Sequence, residues 1–477
     1  MRNILSSTVS VVRATTIDIL PDDALLRIFY SCRVGHNPLR LPFHPVLEWQ
    51  KLIHVCRKWR LIIFSSPGHL DLYLLCKHGT PVRKNLDVWP AFPIIIDYIN
   101  YPHHTSKISP TPNDDDNILA ALEHPDRVRC LKLPVTNSLL QRVVTMALEP
   151  FPTLTQLWLS SELEGGGVSV LPSEFLGGST PRLREIYLDG IPFPTLPAVL
   201  SSASDLVVLY LHRIPHTGYI SPEVMVASLA TLTRLDFVSI GFQSSTSRSS
   251  STRRASPPTR VVLPVLTSFR FQGASEYLED LVARIDAPCL ASIQIKYFNQ
   301  LIFQVPQLFR FIGQTQIIEQ ARTMDQKVAI YHHFVSISLS SPAESHQIFL
   351  ELQISCRGLD WQVSHLAEVL SQSSAVLFYM HNLSIQAYGL QRHWRDHMDH
   401  IEWLALLCRF TTVERLRVFY PIAGHVADAL KEVTAEMAPE ILPALRWLSL
   451  VGEPAEHVKE FSTTRQLSGL PPVTIAT

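Results

Sequence analysis

Short stretches of alternating apolar residues recur along most of this chain, and that recurrence constrains its fold more than any other feature. They are RCLKL around Leu131, LTQLWL around Leu157, LREIYL around Ile186, LVVLYL around Leu209, LTRLDF around Leu235, LTSFRF around Phe269 and LASIQI around Ile293. Alternation puts every second side chain on one face, which is the pattern of a strand buried on one side. Successive centres lie roughly 23 to 34 residues apart, and the intervals hold helix-like segments such as LLQRVVTMAL, PAVLSSA, EVMVASLA and YLEDLVARI. The series resumes with FLELQIS, LSIQAY, VERLRVFY and LRWLSLVG around Leu352, Leu383, Leu416 and Leu448, roughly 31 to 33 residues apart. Between Ile293 and Leu352 the interval doubles, and VAIYHHFVSISLS has the two alternating runs of a hairpin standing in for a missing unit.

Strand, turn and helix repeated in this order are the grammar of a leucine-rich-repeat solenoid, in which each unit hides its apolar faces only by stacking on its neighbours. No asparagine recurs at a fixed place after the strands, so the asparagine ladder of a regular array is absent and the repeat is degenerate. An α/β domain with one parallel sheet shows the same alternation; the short strands and steady period favour the solenoid. Its concave positions would be the residues between the buried ones, such as Gln156, Trp158, Arg184, Tyr187, Tyr210, Arg270 and Gln294. The last unit, LPALRWLSLVG, would bury Leu445, Leu448 and Leu450 against the unit at Leu416. The charged, then proline-containing, tail that follows would cover the open end.

The chain of 477 residues is too long for one ordinary core, which agrees with a small cap plus an elongated array. Its 41 Lys and Arg nearly match its 42 Asp and Glu, so charge makes no case for nucleic acid or an anionic membrane as a partner. The seven cysteines, Cys32, Cys56, Cys76, Cys130, Cys289, Cys356 and Cys408, are scattered and never form C-x-x-C, the usage of reduced thiols in cytoplasm or nucleus. No apolar run approaches the roughly 18 residues needed to span a bilayer, and a soluble chain is expected. The leader MRNILSSTVSVVRATT has no acid before Asp18 and reads as a frayed terminus more than as a transit peptide.

Between Ile19 and Phe64 the pattern changes to two helical halves. LPDDALLRIFYSC places Pro21 at a helix start and Asp22 and Asp23 in the first turn, with Leu25, Ile28, Phe29 and Cys32 on one face. EWQKLIHVCRKWRLIIF puts Trp49, Leu52, Ile53 and Cys56 on one side and Val55, Trp59 and Ile62 on a second stripe, so this helix needs two neighbours. Leu-Pro, then Leu25 and Ile28-Phe29, followed by Trp49, Leu52, Val55-Cys56 and Trp59, resembles the F-box, the module by which substrate receptors hang on the adaptor subunit of SCF-type cullin ubiquitin ligases. The continuation, SSPGHLDLYLLCKHGTPVRKNLDVWPAFPIIIDY, is similar to the segment after the F-box in basidiomycete fungal F-box proteins. The proline-rich insert VGHNPLRLPFHPVL makes the two halves lie further apart than in the compact pattern.

The resemblance implies adaptor contacts through Leu20, Pro21, Leu25, Ile28, Phe29, Trp49, Leu52, Val55, Cys56 and Trp59, a cullin reached through the adaptor, and a protein substrate held by the array. The expected fold class is then α+β overall: a small all-α F-box over 16–75 followed by the irregular α/β solenoid over 118–455. A leader fills 1–15, a linker with one short strand 76–117, and a tail 456–477. Such a chain is a noncatalytic receptor; the rival is a repeat scaffold that never meets a ligase, and a metal-dependent enzyme built around His393, His397 and His400 is a remote third class.

Catalytic signatures are sparse. The chain has no G-x-S-x-G, H-E-x-x-H or G-x-x-x-x-G-K-[ST], and no cofactor is expected. HWRDHMDH spaces His393, His397 and His400 along one helical face beside Asp396 and Asp399, which would suit zinc or nickel. Lacking a cysteine or distant fourth ligand, it reads better as a solvated helix face, and no metal is assigned. The pairs His103-His104 and His332-His333 lack ligand spacing. Gln243 to Arg260, QSSTSRSSSTRRASPPTR, has no large apolar residue and reads as a mobile loop between repeats, as do Gly165, Gly166 and Gly167 on a smaller scale. Within it RRAS makes Ser256 a candidate phosphosite.

Overall fold

A fixed L-x-x-L-x-L spacing builds each repeating strand and the turn before it. Leu154, Leu157 and Leu159 set the pattern, and Leu183-Ile186-Leu188, Leu206-Leu209-Leu211, Leu235-Val238-Ile240, Leu266-Phe269-Phe271 and Leu290-Ile293-Ile295 repeat it, all of them buried. The first residue of each triplet closes a turn: the N–H of Leu154 donates to Phe151, Leu206 to Ala203, Leu235 to Leu232, Leu266 to Leu263 and Leu290 to Ala287. The other two share one side of the strand, because side chains alternate. Burying each is worth about 1.5–3 kcal/mol.

The computed structural model describes residues 20–34, 51–66, 70, 72–99, 111–161, 169–244, 260–298, 305–317, 325–331, 334–340, 348–355, 381–388, 400–453 and 456–476. Among them the chain is mixed α/β, with twelve helices and a large, mostly parallel sheet. It divides into two units, residues 1–129 and 130–477.

In the first unit α1 (Asp22–Val34) and α2 (Arg57–Ser65) share a core of Leu25, Phe29, Ile53, Trp59, Ile62, Ile63, Leu70, Leu72 and Phe92. The rings of Phe29 and Trp59 lie 4.8 Å apart. The second helical half is not continuous: residues 53–55 form a turn, and Cys56, with extended backbone, caps α2 by accepting the Trp59 N–H at 3.5 Å. That break turns Val55 outward and brings Ile53 onto the same core as Trp59 and Ile62, instead of the two opposite stripes expected.

Segment 76–117, expected as a linker with one short strand, is more ordered than that. β1 (Leu74–Cys76) pairs in parallel with β2 (Ile94–Asp97), and α3 (Val82–Val88) packs against α4 (Pro112–Leu122). Thr111 caps α4 in a reciprocal box with Asp114, and the side-chain oxygen of Asn117 accepts the Val82 N–H. Burial works against the Asp114 charge. Hydrogen bonds from Thr111, His78 and Gly79 outweigh it and hold the carboxyl below its ordinary range.

In the second unit the strands follow one another in parallel: β3 (Val128–Val135), β4 (Gln156–Ser161), β5 (Glu185–Asp189), β6 (Val208–Ile214) and β7 (Phe237–Phe242). The strand expected around Leu235 begins at Phe237, Leu235 itself belonging to the turn. A separate parallel pair is formed by β8 (Val261–Val262) and β10 (Ile285–Asp286), while β9 (Ser268–Gly273) and β11 (Ser292–Tyr297) continue the main sheet.

Helices α5 (Asn137–Met146), α6 (Leu196–Ser202), α7 (Pro222–Leu229), α8 (Ser275–Val282) and α9 (Pro306–Ile312) connect these strands, and α6 to α9 pack successively on one another. Successive strands are joined at their starts through backbone hydrogen bonds. The Arg184 carbonyl accepts both Val207 and Val208, Val207 accepts Asp236 and Phe237, Asp236 accepts Thr267 and Ser268, and Thr267 accepts Ala291 and Ser292, all between 2.8 and 3.1 Å.

The expected hairpin is present, but the order beyond it is inverted. β12 (Asp325–Tyr331), β13 (Phe334–Ser340) and β14 (Ile348–Ser355) form an antiparallel meander entered from its far end. β14 returns to pair with β11, and β12 pairs with β15 (Asn382–Tyr388). The hairpin therefore lies beyond the Leu352 strand instead of filling the gap before it. Parallel pairing resumes through β15, β16 (Arg415–Val418) and β17 (Trp447–Leu450), with α10 (His400–Leu407) and α11 (Ile422–Lys431) packed together.

The C-terminal residues, expected as a tail, form a further helix and strand. α12 (Glu456–Leu467) packs on α11, and β18 (Thr474–Ala476) pairs in parallel with β17. Arg465 is completely buried and donates to the carbonyls of Leu442 at 2.9 Å and of Ile441, Pro443 and Leu445 at 3.2–3.3 Å. These bonds hold a turn in which Leu442 has φ +51°, a left-handed conformation unusual for a leucine.

Candidate functional site

Because the strands of the second unit run in register, their outward residues form rows across the sheet. One row passes from Lys132 through Trp158, Tyr187, Tyr210 and Ser239 to Arg270 and Gln294. The rings are in contact. Trp158 meets Tyr187 edge-on at 4.5 Å, and Tyr187 and Tyr210 stack at 4.1 Å with their planes 4° apart. Tyr210 continues onto Phe237 of the adjacent row at 6.4 Å. A cation closes each end: Lys132 Nζ sits 5.0 Å above Trp158, and the Arg270 guanidinium 5.2 Å above Phe237. Burial, with Tyr210 close by, pushes the Tyr187 phenol well above its ordinary value, so it stays neutral.

Beside the rings lies a charged cluster. Arg213 Nε donates to Asp189 Oδ1 at 2.5 Å and Arg213 Nη2 to the Ser161 carbonyl at 3.1 Å, while His212 Nδ1 is 3.3 Å from Asp189 Oδ1. Burial opposes the Asp189 charge, but the hydrogen bonds from His212 and Arg213 and their charges prevail and hold the carboxyl at about 2. The hydroxyl of Ser160 points at Asp189 Oδ2, 3.4 Å away, with the carboxylate between serine and imidazole, so this serine and histidine are not a nucleophile and its base. Gly241 makes room for His212, since a Cβ there would come within 3.2 Å of the ring. A smaller patch repeats the chemistry further along: Tyr331 stacks on Tyr388 at 5.1 Å, and Lys327 Nζ donates to the Tyr388 hydroxyl at 2.9 Å.

The residues expected to meet an adaptor separate into two groups. Leu25, Phe29 and Trp59 belong to the core of the first unit, while Leu20, Leu52 and Cys56 are half-buried at its margin. Pro21 is exposed, Ile28 is 39% exposed and Val55 58%; Leu61, at 72%, joins them. Trp49 lies outside the described residues, as do Ser256, His393, His397, the histidine pairs and Gly165 to Gly167. His400 is the exposed first residue of α10.

Of the loop from Gln243 to Arg260 only the ends are described, and both are tied down. Gln243 N–H donates to Ile214, and Arg260 donates to Asp286 at 2.9 Å, Gln314 at 2.8 Å and the Ala283 carbonyl at 3.1 Å. Arg260 is thus an anchor of β8 and not part of a mobile segment. Among the described residues no helix is long and apolar enough to cross a membrane, and no cluster of His, Cys, Asp or Glu has the makings of a metal site. Sequence reasoning found Trp158, Tyr187, Tyr210 and Arg270 as outward positions of separate strands. It missed Lys132, Phe237 and the Asp189 cluster, although Lys132 occupies the same place in RCLKL as Trp158 does in LTQLWL. No family model matches the chain, and no curated protein matches it.

Proposed function

We propose that this chain is a noncatalytic recognition subunit of an SCF-type ubiquitin ligase, its leucine-rich-repeat-like solenoid holding a protein substrate and its F-box docking on the ligase adaptor. The observation that carries the reading is the contiguous row of rings between Lys132 and Arg270, mounted on in-register strands. Aromatic and arginine side chains on a rigid scaffold are the composition of protein-binding hot spots. The docking half of the reading rests on the F-box pattern and on Ile28, Val55 and Leu61, large apolar side chains left in solvent on a small helical unit. Leu25, Phe29 and Trp59 then act by shaping that unit from inside.

Co-expression with the ligase adaptor tests it. The full chain should co-purify with the adaptor, and Ile28→Asp with Val55→Asp should abolish that with an unchanged melting temperature. Phe29→Ala should instead lower the melting temperature, by a loss of about 3–5 kcal/mol. An intact chain that never retains the adaptor would leave a repeat scaffold as the function.

A further inference from the structure

We infer that the row from Lys132 to Arg270 takes an extended segment of the substrate protein, about seven residues long, with apolar or aromatic side chains over the rings and a carboxylate near each end. This rests on the recognition-subunit reading and gives the chemistry of what that subunit holds.

The length follows from the sheet. Lys132 and Arg270 stand on β3 and β9, with β4, β5, β6 and β7 between them. At about 4.8 Å per strand the cations are about 24 Å apart, which an extended chain covers in about seven residues at about 3.3–3.4 Å each. The segment crosses the strands, because the row does. The charges of its ends follow from the cations. Lys132 and Arg270 each rest on a ring and meet no carboxylate among the described residues, so their N–H donors remain open to one; arginine presents its own as a planar fork that fits a carboxylate. The Asp189 charge is already taken by Arg213 and His212, and Glu185, on the neighbouring row, accepts from the Gln156 amide.

Rings and cations also suit single-stranded nucleic acid, but the geometry favours a peptide. Tyr187 and Tyr210 lie face to face at 4.1 Å, so no base can be sandwiched between them, whereas an apolar side chain needs only the outward edges of the rings. A phosphate backbone carries a charge at every nucleotide, whereas the row has cations only at its two ends.

The test selects a random heptapeptide library on the immobilised full-length chain. Asp and Glu should be enriched at both ends and Leu, Pro and aromatic residues in the middle. Lys132→Glu with Arg270→Glu should reverse the end preference to Lys and Arg and weaken the original peptides by at least about tenfold, with the middle unchanged. The milder pair Lys132→Gln and Arg270→Gln should erase the end preference without reversing it, and covers a folding failure of the first pair. Enrichment indifferent to both pairs, no enrichment at all, or a fifteen-residue oligothymidylate that binds and is weakened by the same substitutions would overturn the inference. A chain that retains the adaptor but selects no peptide loses only this inference. One that selects peptides but never retains the adaptor loses only the ligase reading.

Discussion

Arg465 shows how far one residue can hold a turn together. Its guanidinium is buried with no acid in contact among the described residues, burial lowers its pKa, and four carbonyls of residues 441–445 depend on it. Arg465→Met should cost about 3–5 kcal/mol, because the carbonyls lose their donors while staying buried. Arg465→Lys should recover only part of this, having no planar fork. Denaturant melts of both variants measure the two losses.

Gln326 is the opposite case. Its amide is buried on β12 with neither nitrogen nor oxygen bonded among the described residues, so Gln326→Leu should stabilise the chain by about 1–3 kcal/mol in the same assay. Asp189 makes a pH prediction. Its folded-state pKa is depressed from 3.8 to about 2, so its contribution is fully present above about pH 4 and is lost as pH falls through about 2. Asp189→Asn should flatten stability against pH in that window, and acid titration followed by circular dichroism reads the difference.

At the scale of elements, the C-terminal pair α12 and β18 ends the sheet. Removing residues 456–477 would strip Arg465 from its turn and expose the β17 edge. Lower solubility and a fall in melting temperature are therefore expected. Deleting only 468–477 would also remove β18, so that shorter truncation should destabilise the chain too; an unchanged melt would show that β18 contributes nothing. The inverted meander is a second element-scale device. It reverses the sheet order of three strands while leaving β11, β14, β12 and β15 parallel, with β13 alone running against them. The outward row survives this inversion, passing from Gln294 to Glu351, Ser338, Lys327 and Ser384.

On the scale of the second unit as a whole, strand pairing runs without a break from β3 to β18, so heat should melt it as one transition. Leu159→Ala near one end and Leu448→Ala near the other each remove a fully buried side chain, and each should lower that same transition by about 2–5 kcal/mol. Two separate transitions in calorimetry, each sensitive to one substitution, would mean that the meander divides the unit.

The sequence by itself determined the strands of the repeating segments and their inward faces, because alternation puts every second side chain on one side of a strand; β1, β8, β10 and β18 emerged only in the structure. It also determined that Leu25 and Phe29, four residues apart, share one helical face, but not that Ile53 and Trp59 join them in one core. Tertiary structure alone decided the rest. Nothing local tells β14 to return to β11, because in this chain FVSISLS of the antiparallel β13 alternates just as SIQIKY of the parallel β11 does. Nothing in RQLSGLPPVTIAT marks Arg465 as buried, because its partners are carbonyls some twenty residues away and carbonyls leave no signature in a sequence. The row of rings is likewise a property of register: Lys132, Trp158, Tyr187, Tyr210 and Arg270 are far apart in the chain and become neighbours only when six strands pair.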